Sequence, residues 1–133
     1  MAAQRDVVDE SVEELPADPE TELTPERVKE LADAGQVELI DVRRDYEWEA
    51  GRLAGARHIE VNHLTSEADS IGKDRQIVFY CRGGNRSGMA AQAFREAGWD
   101  AHNLAGGIVA WAEAGLPLDP DGGTVAETRP PTA

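Results

Sequence analysis

The chain has 133 residues, of which 26 are acidic and 13 basic, so its formal net charge is −13. This length suits one domain with one hydrophobic core and excludes a second catalytic domain, and the acidic excess argues against a nucleic-acid partner because phosphate binding needs a basic face. The single cysteine excludes an internal disulfide, and with three scattered histidines it predicts no metal site.

Both ends of the chain have the composition of solvated tails. Acidic residues dominate residues 1–20, which also hold Pro16 and Pro19, and residues 119–133 combine three prolines with two glycines and no apolar periodicity. We therefore predict disordered tails over these two ranges and one folded domain over residues 21–118. No apolar run approaches the ~18 residues of a membrane span, and the N-terminus lacks a signal-peptide pattern, so we expect a cytoplasmic chain without a membrane partner.

Between the tails, helical and β-prone segments alternate. Thr24 and Pro25 mark the start of a first helix, which Gly35 ends. This alternation predicts an α/β fold in which right-handed crossovers join a mostly parallel sheet with helices on both faces. The β-prone segments cover residues 37–42, 57–61, 76–80 and 100–104, and the later helical segments cover residues 45–50, 64–71, 86–97 and 108–114. The apolar positions predicted to face the sheet from helix 86–97 are Met89, Ala90, Ala93 and Phe94.

The loop after the β-prone segment 76–80 carries the chemistry. Its two adjacent glycines let successive backbone N–H groups turn inward as an anion-binding nest that faces Cys81. The helix start near Arg86, together with Arg82, adds positive charge, and all these contributions favour a thiolate nucleophile that needs no catalytic base. A loop that stabilises one anion also receives another, so we expect a small anionic substrate or leaving group. The predicted site consists of Cys81 as the catalytic residue and of the substrate-binding residues Arg82, Gly83, Gly84, Asn85, Arg86 and Asp41.

Several of these positions also have a purely structural interpretation. A single cysteine at a strand end is often a small buried hydrophobe. Arg86 can point outward into an ion pair at the helix end instead of lining the pocket. Asp41 can hydrogen-bond the loop, orient an arginine or cap its own strand, and we expect Arg43 to form an internal ion pair with Glu47. The sequence holds no glycine-rich nucleotide loop, so it predicts no organic cofactor.

Three stretches of the chain carry a resemblance to a known family. They are Leu39-Ile40-Asp41-Val42-Arg43 followed by Glu47-Trp48, then Tyr80-Cys81-Arg82-Gly83-Gly84-Asn85-Arg86-Ser87-Gly88, and finally Leu104-Ala105-Gly106-Gly107 followed by Ala110-Trp111. In this order they resemble the single-domain rhodaneses, a family of sulfurtransferases, and the resemblance covers most of the chain between the tails. It implies a rhodanese-like fold with a five-stranded, mostly parallel sheet flanked by helices on both faces.

The resemblance also implies a reaction and its partners. By the family's chemistry, Cys81 would take the outer sulfur of thiosulfate or a related small anionic donor, release sulfite and hold a persulfide. Cyanide, a thiol or a protein would then accept that sulfur. We expect this thiosulfate sulfurtransferase to work without a metal or organic cofactor, as a monomer, and without a nucleic-acid or membrane partner.

One departure from the family and some rival functions limit this interpretation. Family members often have Gly-His-Ile-x-Gly-Ala where this chain has Arg52 in place of the histidine, which puts a role for that histidine in doubt. A persulfide carrier or regulatory module acting with a protein partner would use the same loop. A small-anion phosphatase or arsenate reductase would also hold an anion over a cysteine. However, only four residues separate Cys81 from Arg86, and this tight ring suits a sulfur atom better than a phosphoryl group.

Overall fold

The computed structural model describes residues 21–127, and the predicted N-terminal tail lies outside these residues, as do residues 128–133. Ten helices and strands alternate along the described chain, with short 3-10 turns at Val61–His63 and Ala68–Ser70. The strands are β1 (Glu22–Leu23), β2 (Val37–Asp41), β3 (Arg57–His58), β4 (Gln76–Tyr80) and β5 (Ala101–Leu104). The helices are α1 (Pro25–Asp33), α2 (Asp45–Ala50), α3 (Leu64–Glu67), α4 (Asn85–Glu96) and α5 (Gly107–Glu113).

The strands form one five-stranded sheet in the order β1-β5-β4-β2-β3, and every pairing is parallel. This arrangement confirms the predicted α/β class and the strand number that the resemblance implied. In the register of the neighbouring strands β2 and β4, Asp41 lies opposite Tyr80, so the two strands end at the same level. Cys81, the next residue after β4, therefore lies at the carboxyl edge of the sheet, where parallel sheets bind their ligands.

Alternation along β4 divides the core into two layers. Ile77, Phe79 and Cys81 face one side of the sheet, and Val78 and Tyr80 face the other, because successive strand residues point to opposite faces. On the first side the strands pack against Leu64, Ala90, Ala91 and Phe94 of α3 and α4. On the second side they pack against Val28, Leu31, Ile108 and Trp111 of α1 and α5. Helices thus cover both faces, as predicted, and among the helices of residues 21–127 none combines the length and apolarity of a membrane span.

Two details of the predicted elements differ from the structure. The segment predicted as a strand over residues 57–61 pairs as a strand only at Arg57–His58 and then turns into the 3-10 helix at Val61. The predicted buried face of α4 is wrong at Met89, which is 76% exposed, and at Ala93, which is also exposed. The residues of α4 that are buried are Ser87, Ala90, Ala91 and Phe94. The buried Ser87 brings a hydroxyl group to the catalytic loop.

Residues 119–127, which we call the C-terminal segment, lie against the domain although the sequence placed them in a disordered tail. The backbone of Asp119 exchanges two hydrogen bonds with Arg52, at 3.0 and 2.7 Å, and the amide of Thr124 donates to the carbonyl of Ala50 at 2.8 Å. The Tyr46 hydroxyl donates to the carbonyl of Glu127 at 3.0 Å. The described part of the domain therefore extends beyond the predicted boundary at residue 118, and α2 is the surface that holds the extension.

The close fit between Gly51 and the C-terminal segment can be tested by adding one methyl group. A Cβ atom at Gly51 would collide with the carbonyl oxygen of Thr124 and approach its nitrogen to 2.8 Å. For Gly51→Ala we expect faster hydrogen exchange at the Thr124 amide and a free energy of unfolding lower by about 1–3 kcal/mol, measured by urea titration. Gly83→Ala is the matched control, because a Cβ atom there meets no atom within 4 Å. Unchanged exchange at Thr124 in Gly51→Ala would contradict the close contact.

Candidate active site

Cys81 lies between the end of β4 and the start of α4, and its side chain forms the floor of a short loop. The residue is 1% exposed. The loop closes because Gly84, the N-cap of α4, has a left-handed backbone with φ of 106°, a conformation that favours glycine. Gly83 has no positive φ, and a Cβ atom there would enter open space. Of the two glycines predicted to shape the nest, the structure therefore requires only Gly84.

The loop directs three donors at the cysteine sulfur. The amides of Gly84 and Ser87 lie 3.1 and 3.4 Å from the Cys81 Sγ atom, and the Ser87 hydroxyl lies 3.2 Å from it. These amides belong to the first turn of α4, so the positive end of the helix dipole also faces the sulfur. The arrangement places three hydrogen-bond donors around Sγ in the geometry of an anion-binding nest.

Arg86 of α4 forms a two-point ion pair with Glu47 of α2. Its Nη1 and Nη2 atoms lie 3.0 and 3.2 Å from the two carboxylate oxygens, and the Glu47 side chain is fully buried. Burial disfavours the charged carboxylate, but the hydrogen bonds from Arg86 and from the backbone of Arg44 outweigh it and lower the pKa of Glu47. The pairing with Glu47 raises the pKa of Arg86, and Cys81 contributes in the same direction. Arg86 thus connects the catalytic loop to α2 instead of pointing outward.

Arg82 points toward the C-terminal segment. Its Nε atom donates to the carbonyl of Ala126 at 2.9 Å, and its Nη2 atom lies 4.0 Å from a carboxylate oxygen of Glu127. The Arg82 side chain is 30% exposed and that of Glu127 is 87% exposed. The cation next to Cys81 is therefore held by a neutral carbonyl and one long, solvent-exposed ion pair.

Asp41 forms a buried pair with Arg43, and both side chains are fully buried. The Nε and Nη2 atoms of Arg43 bind the two carboxylate oxygens at distances down to 2.6 Å, and Nη2 also donates to the carbonyl of Gly51. Of the roles left open for Asp41, the structure thus favours orienting an arginine over contact with a substrate. The predicted pairing of Arg43 with Glu47 is wrong, because Asp41 binds Arg43 and Arg86 binds Glu47.

The backbone of the catalytic loop is fixed from a second side by α5. The amides of Ile108 and Val109 donate to the carbonyls of Cys81 and Arg82 at 2.9 and 3.1 Å. This approach needs a glycine at position 107, because a Cβ atom there would collide with the Arg82 carbonyl and lie 2.6 Å from the Cys81 carbonyl oxygen. Gly107, the first residue of α5, therefore lets the start of a second helix approach the loop.

Arg52 occupies the position where the family often has a histidine. Its Nη1 atom donates to the carbonyl of Trp48 at 2.9 Å, and its guanidinium lies 4.8 Å from the centre of the Trp48 ring. These contacts stabilise the end of α2. At this position the chain therefore has a structural contact to α2.

The structure brings Cys81, Arg82, Gly84 and Arg86 together and starts α4 at Asn85, an exposed residue. It also adds four residues that the sequence analysis did not assign to the site. Ser87 lies in the second of the three stretches that resemble the family, and Glu47 follows the first, so the sequence contained an indication of both residues. Asn103 is a polar residue in a fully buried strand, which is itself a signal. Glu22 had none. Within residues 21–127 no group of three or more His, Cys, Asp or Glu side chains could hold a metal ion.

The fold and the loop define an α/β domain with a cysteine anion site at the carboxyl edge of a parallel sheet. The chain matches the rhodanese-like domain over residues 24–114, and it belongs to that family. It is 38% identical over 89 residues to a sulfurtransferase of Allochromatium vinosum, covering 66% of this chain and 83% of that protein.

Two further comparisons concern a longer relative and a solved structure with the same fold. Over 103 residues the chain is 36% identical to an HTH-type transcriptional regulator of Mycobacterium tuberculosis, covering 76% of this chain and 46% of the regulator. The chain thus spans about half the length of that relative. A rhodanese-related protein of Thermoplasma volcanium has the same fold, with a TM-score of 0.70 at 24% identity, over 74% of this chain and 96% of that one.

The buried Glu47 carboxylate should make the stability of the domain depend on pH. Its folded-state pKa lies below the ordinary value of 4.5, so its contribution is complete above pH 4.5 and is lost as the pH falls through the lower folded-state value. At pH 7 we expect Glu47→Gln to lower the free energy of unfolding by about 1–3 kcal/mol, because Arg86 loses its charged partner.

The difference between Glu47→Gln and the wild type should shrink as urea titrations are carried from pH 7 to below pH 4.5. Glu67→Gln is a suitable control, since Glu67 is 51% exposed and lies 3.7 Å from Arg57, a surface pair worth little. A difference that stayed constant with pH would show that the Glu47 charge does not contribute.

Proposed function

We propose that this chain is a sulfurtransferase that moves a sulfane sulfur from a small anionic donor to a thiophilic acceptor through a persulfide on Cys81. The observation that carries the proposal is the convergence of two amides and one hydroxyl on the Cys81 sulfur. Membership of the rhodanese-like family and similarity to a sulfurtransferase support it. Thiosulfate is the donor that we propose to test first.

The proposed reaction has two steps, and both are displacements at sulfur. The Cys81 thiolate attacks the outer sulfur of thiosulfate, the new S–S bond forms, the S–S bond of the donor breaks, and sulfite leaves with the electron pair. In the second step an acceptor such as cyanide, a thiol or a protein thiol attacks the outer sulfur of the persulfide. The Cys81 thiolate leaves with its electron pair. The loop donors stabilise the charged sulfur at the start and at the end of this cycle.

The charges around the loop suggest which residue receives the anionic end of the donor. Arg86 is neutralised by the buried Glu47 carboxylate at 3.0 Å. Arg82 faces an exposed carboxylate at 4.0 Å and otherwise binds the neutral carbonyl of Ala126. We therefore assign the sulfonate end of the donor to Arg82, and the amides that face Sγ to the transferred sulfur.

The nucleophile assignment is tested by intact-protein mass spectrometry. After incubation with thiosulfate we expect the wild type to gain the mass of one sulfur atom, and added cyanide should remove it with release of thiocyanate. Cys81→Ser should gain no sulfur and should lose thiocyanate production by at least about a thousandfold, because a hydroxyl at that position is not ionised. The variant should keep its urea unfolding midpoint, which serves as the folding control. Sulfur loading on Cys81→Ser would end the proposal.

The same assay separates the enzyme from its rivals. A persulfide that forms but is not removed by cyanide or small thiols would indicate a carrier that needs a protein acceptor. Cys81 is 1% exposed, so its alkylation by iodoacetamide should be measured both in native buffer and in urea. The comparison shows how far the fold limits access to the thiol. Hydrolysis of a phosphate ester without sulfur loading would contradict sulfur transfer and favour a phosphatase.

The role of Arg82 predicts a change in the use of the donor. For Arg82→Ala we expect the kcat/KM for thiosulfate to fall about tenfold to a hundredfold, since a charge-assisted hydrogen bond to the donor is lost. Arg75→Ala is the matched control, because Arg75 is an exposed arginine that donates to the carbonyl of Gly35, away from the loop. Equal kcat/KM values for Arg82→Ala and the wild type would remove Arg82 from the donor site.

A further inference from the structure

A chain of polar side chains leads from the catalytic sulfur to the edge of the sheet. The Ser87 hydroxyl lies 3.2 Å from the Cys81 Sγ atom and 2.6 Å from the Oδ1 atom of Asn103. The Nδ2 atom of Asn103 lies 3.0 Å from both carboxylate oxygens of Glu22. Ser87 is fully buried and Asn103 is 3% exposed, so the two bonds of the Ser87 hydroxyl are shielded from bulk water, whereas the Asn103–Glu22 bonds are partly buried. The mechanism above uses Ser87 but neither Asn103 nor Glu22.

The orientation of the Asn103 amide follows from its neighbours. Its Nδ2 atom has three oxygen acceptors, which are the two oxygens of Glu22 and the carbonyl of Gly84 at 3.2 Å. The reversed amide would place its own oxygen against a carboxylate, so Glu22 fixes the nitrogen outward and the oxygen toward Ser87. The Asn103 Oδ1 atom is therefore available only as an acceptor for the Ser87 hydroxyl.

A serine hydroxyl has one proton, and here two acceptors face it. When Cys81 is a neutral thiol, the Ser87 proton can bond Oδ1 while the thiol donates to the Ser87 oxygen, and all three groups are satisfied. When the sulfur is charged, it draws the Ser87 proton to itself and leaves the buried Oδ1 of Asn103 without that donor. A buried acceptor without its donor is costly. Asn103 and the charged sulfur therefore compete for the one proton of the Ser87 hydroxyl.

We propose that Asn103, held in orientation by Glu22, is a positioning residue that acts on Cys81 through Ser87 by competing with the sulfur for the single hydroxyl proton. The inference rests on the proposed function for its role in the cycle. In the persulfide the negative charge moves to the outer sulfur, so the Ser87 proton returns to Asn103. When the acceptor removes the outer sulfur, the Ser87 hydroxyl again donates its hydrogen bond to Sγ, which leaves as a thiolate.

Other charged groups on the loop, or bonded to residues near the sulfur, must be kept constant in a test. They are Arg82 on the loop, Arg86 on α4, Glu47 on α2 through Arg86, and Glu22 on β1 through Asn103. A double-mutant cycle with Ser87 isolates the proposed path, because charge effects that do not pass through Ser87 persist in the Ser87→Ala background.

The experiment measures the rate of Cys81 alkylation by iodoacetamide from pH 4 to 10 in the full chain. For Asn103→Leu we expect the midpoint of the pH profile to fall, with about a threefold to tenfold faster rate at pH values below the midpoint and an unchanged rate at the high-pH plateau. Ser87→Ala should move the midpoint upward. In the Ser87→Ala background, Asn103→Leu should change the rate less than twofold.

Glu22→Ala is a second test that leaves the sequence of the buried strand β5 unchanged. It removes the carboxylate that holds the Asn103 amide in its orientation. It should shift the midpoint in the same direction as Asn103→Leu, and part of the shift should vanish in the Ser87→Ala background. Glu26→Ala on α1 is the matched control for the lost charge, and we expect the same small shift from it in both backgrounds.

Three results would overturn the proposal. They are a midpoint that rises in Asn103→Leu, a midpoint that does not move in Asn103→Leu or Glu22→Ala, and a shift of equal size with and without Ser87. If Asn103→Leu fails to fold, Glu22→Ala decides alone. Alkylation needs a thiol that iodoacetamide can reach but no sulfur donor, so the test stands even if thiosulfate fails to load Cys81, and failure of the proposed function is recognised separately by mass spectrometry.

Discussion

The starts of two helices meet at the two residues that follow β4, and the site depends on this convergence. The first turn of α4 supplies amides to the Cys81 sulfur, while the first turn of α5 supplies amides to the carbonyls of Cys81 and Arg82. The side chain of Cys81 is thus held by α4 and its backbone by α5, and these helices lie on opposite faces of the sheet. Because each helix is itself fixed by a separate core layer, the sulfur has little freedom to turn away from its donors.

The net charge of −13 says little about the site, because the charges near the loop are arranged locally. A fully buried pair, Asp41 with Arg43, and a pair between the buried Glu47 and the 34% exposed Arg86 place opposite charges close together in the domain. Removing one member would leave an uncompensated buried charge, which costs far more than an exposed pair contributes. The Glu47–Arg86 pair connects α2 to the start of α4, and Arg43 connects the end of β2 to the carbonyl of Gly51, while the helix dipole supplies positive potential at the sulfur.

The layered fold and the catalytic loop could be predicted from the sequence, because local patterns specify both. Residues 76–80 form an uninterrupted β-prone run, and the loop has its glycines and arginines within a few positions of Cys81. The edge strand β1 could not be predicted, since two residues show no periodicity and its pairing partner Asn103 lies 81 positions away from Glu22.

The errors also have a physical cause. Met89 was expected inside because it is apolar, yet α4 turns Ser87 inward, since the loop needs that hydroxyl and its amide at the sulfur. Burial of a polar group that is fully hydrogen-bonded can override the apolar pattern of a short helix. The C-terminal segment was expected to be free because of its prolines and glycines. Those glycines instead let its backbone approach Gly51 closely enough to pair with α2.

The contact between Arg82 and the C-terminal segment is compatible with a role for Arg82 at the donor. In the structure Arg82 donates one hydrogen bond to a neutral carbonyl, that of Ala126, at 2.9 Å. A sulfonate, whose sulfur is tetrahedral, can present two anionic oxygens to one guanidinium, and such charge-assisted hydrogen bonds are roughly twice as strong as those between neutral groups. Because the guanidinium carries five N–H donors, Arg82 can engage an anion with its outer nitrogens without giving up the Ala126 carbonyl. The segment therefore holds Arg82 through its Nε atom, while the Nη2 atom lies 4.0 Å from the exposed carboxylate of Glu127.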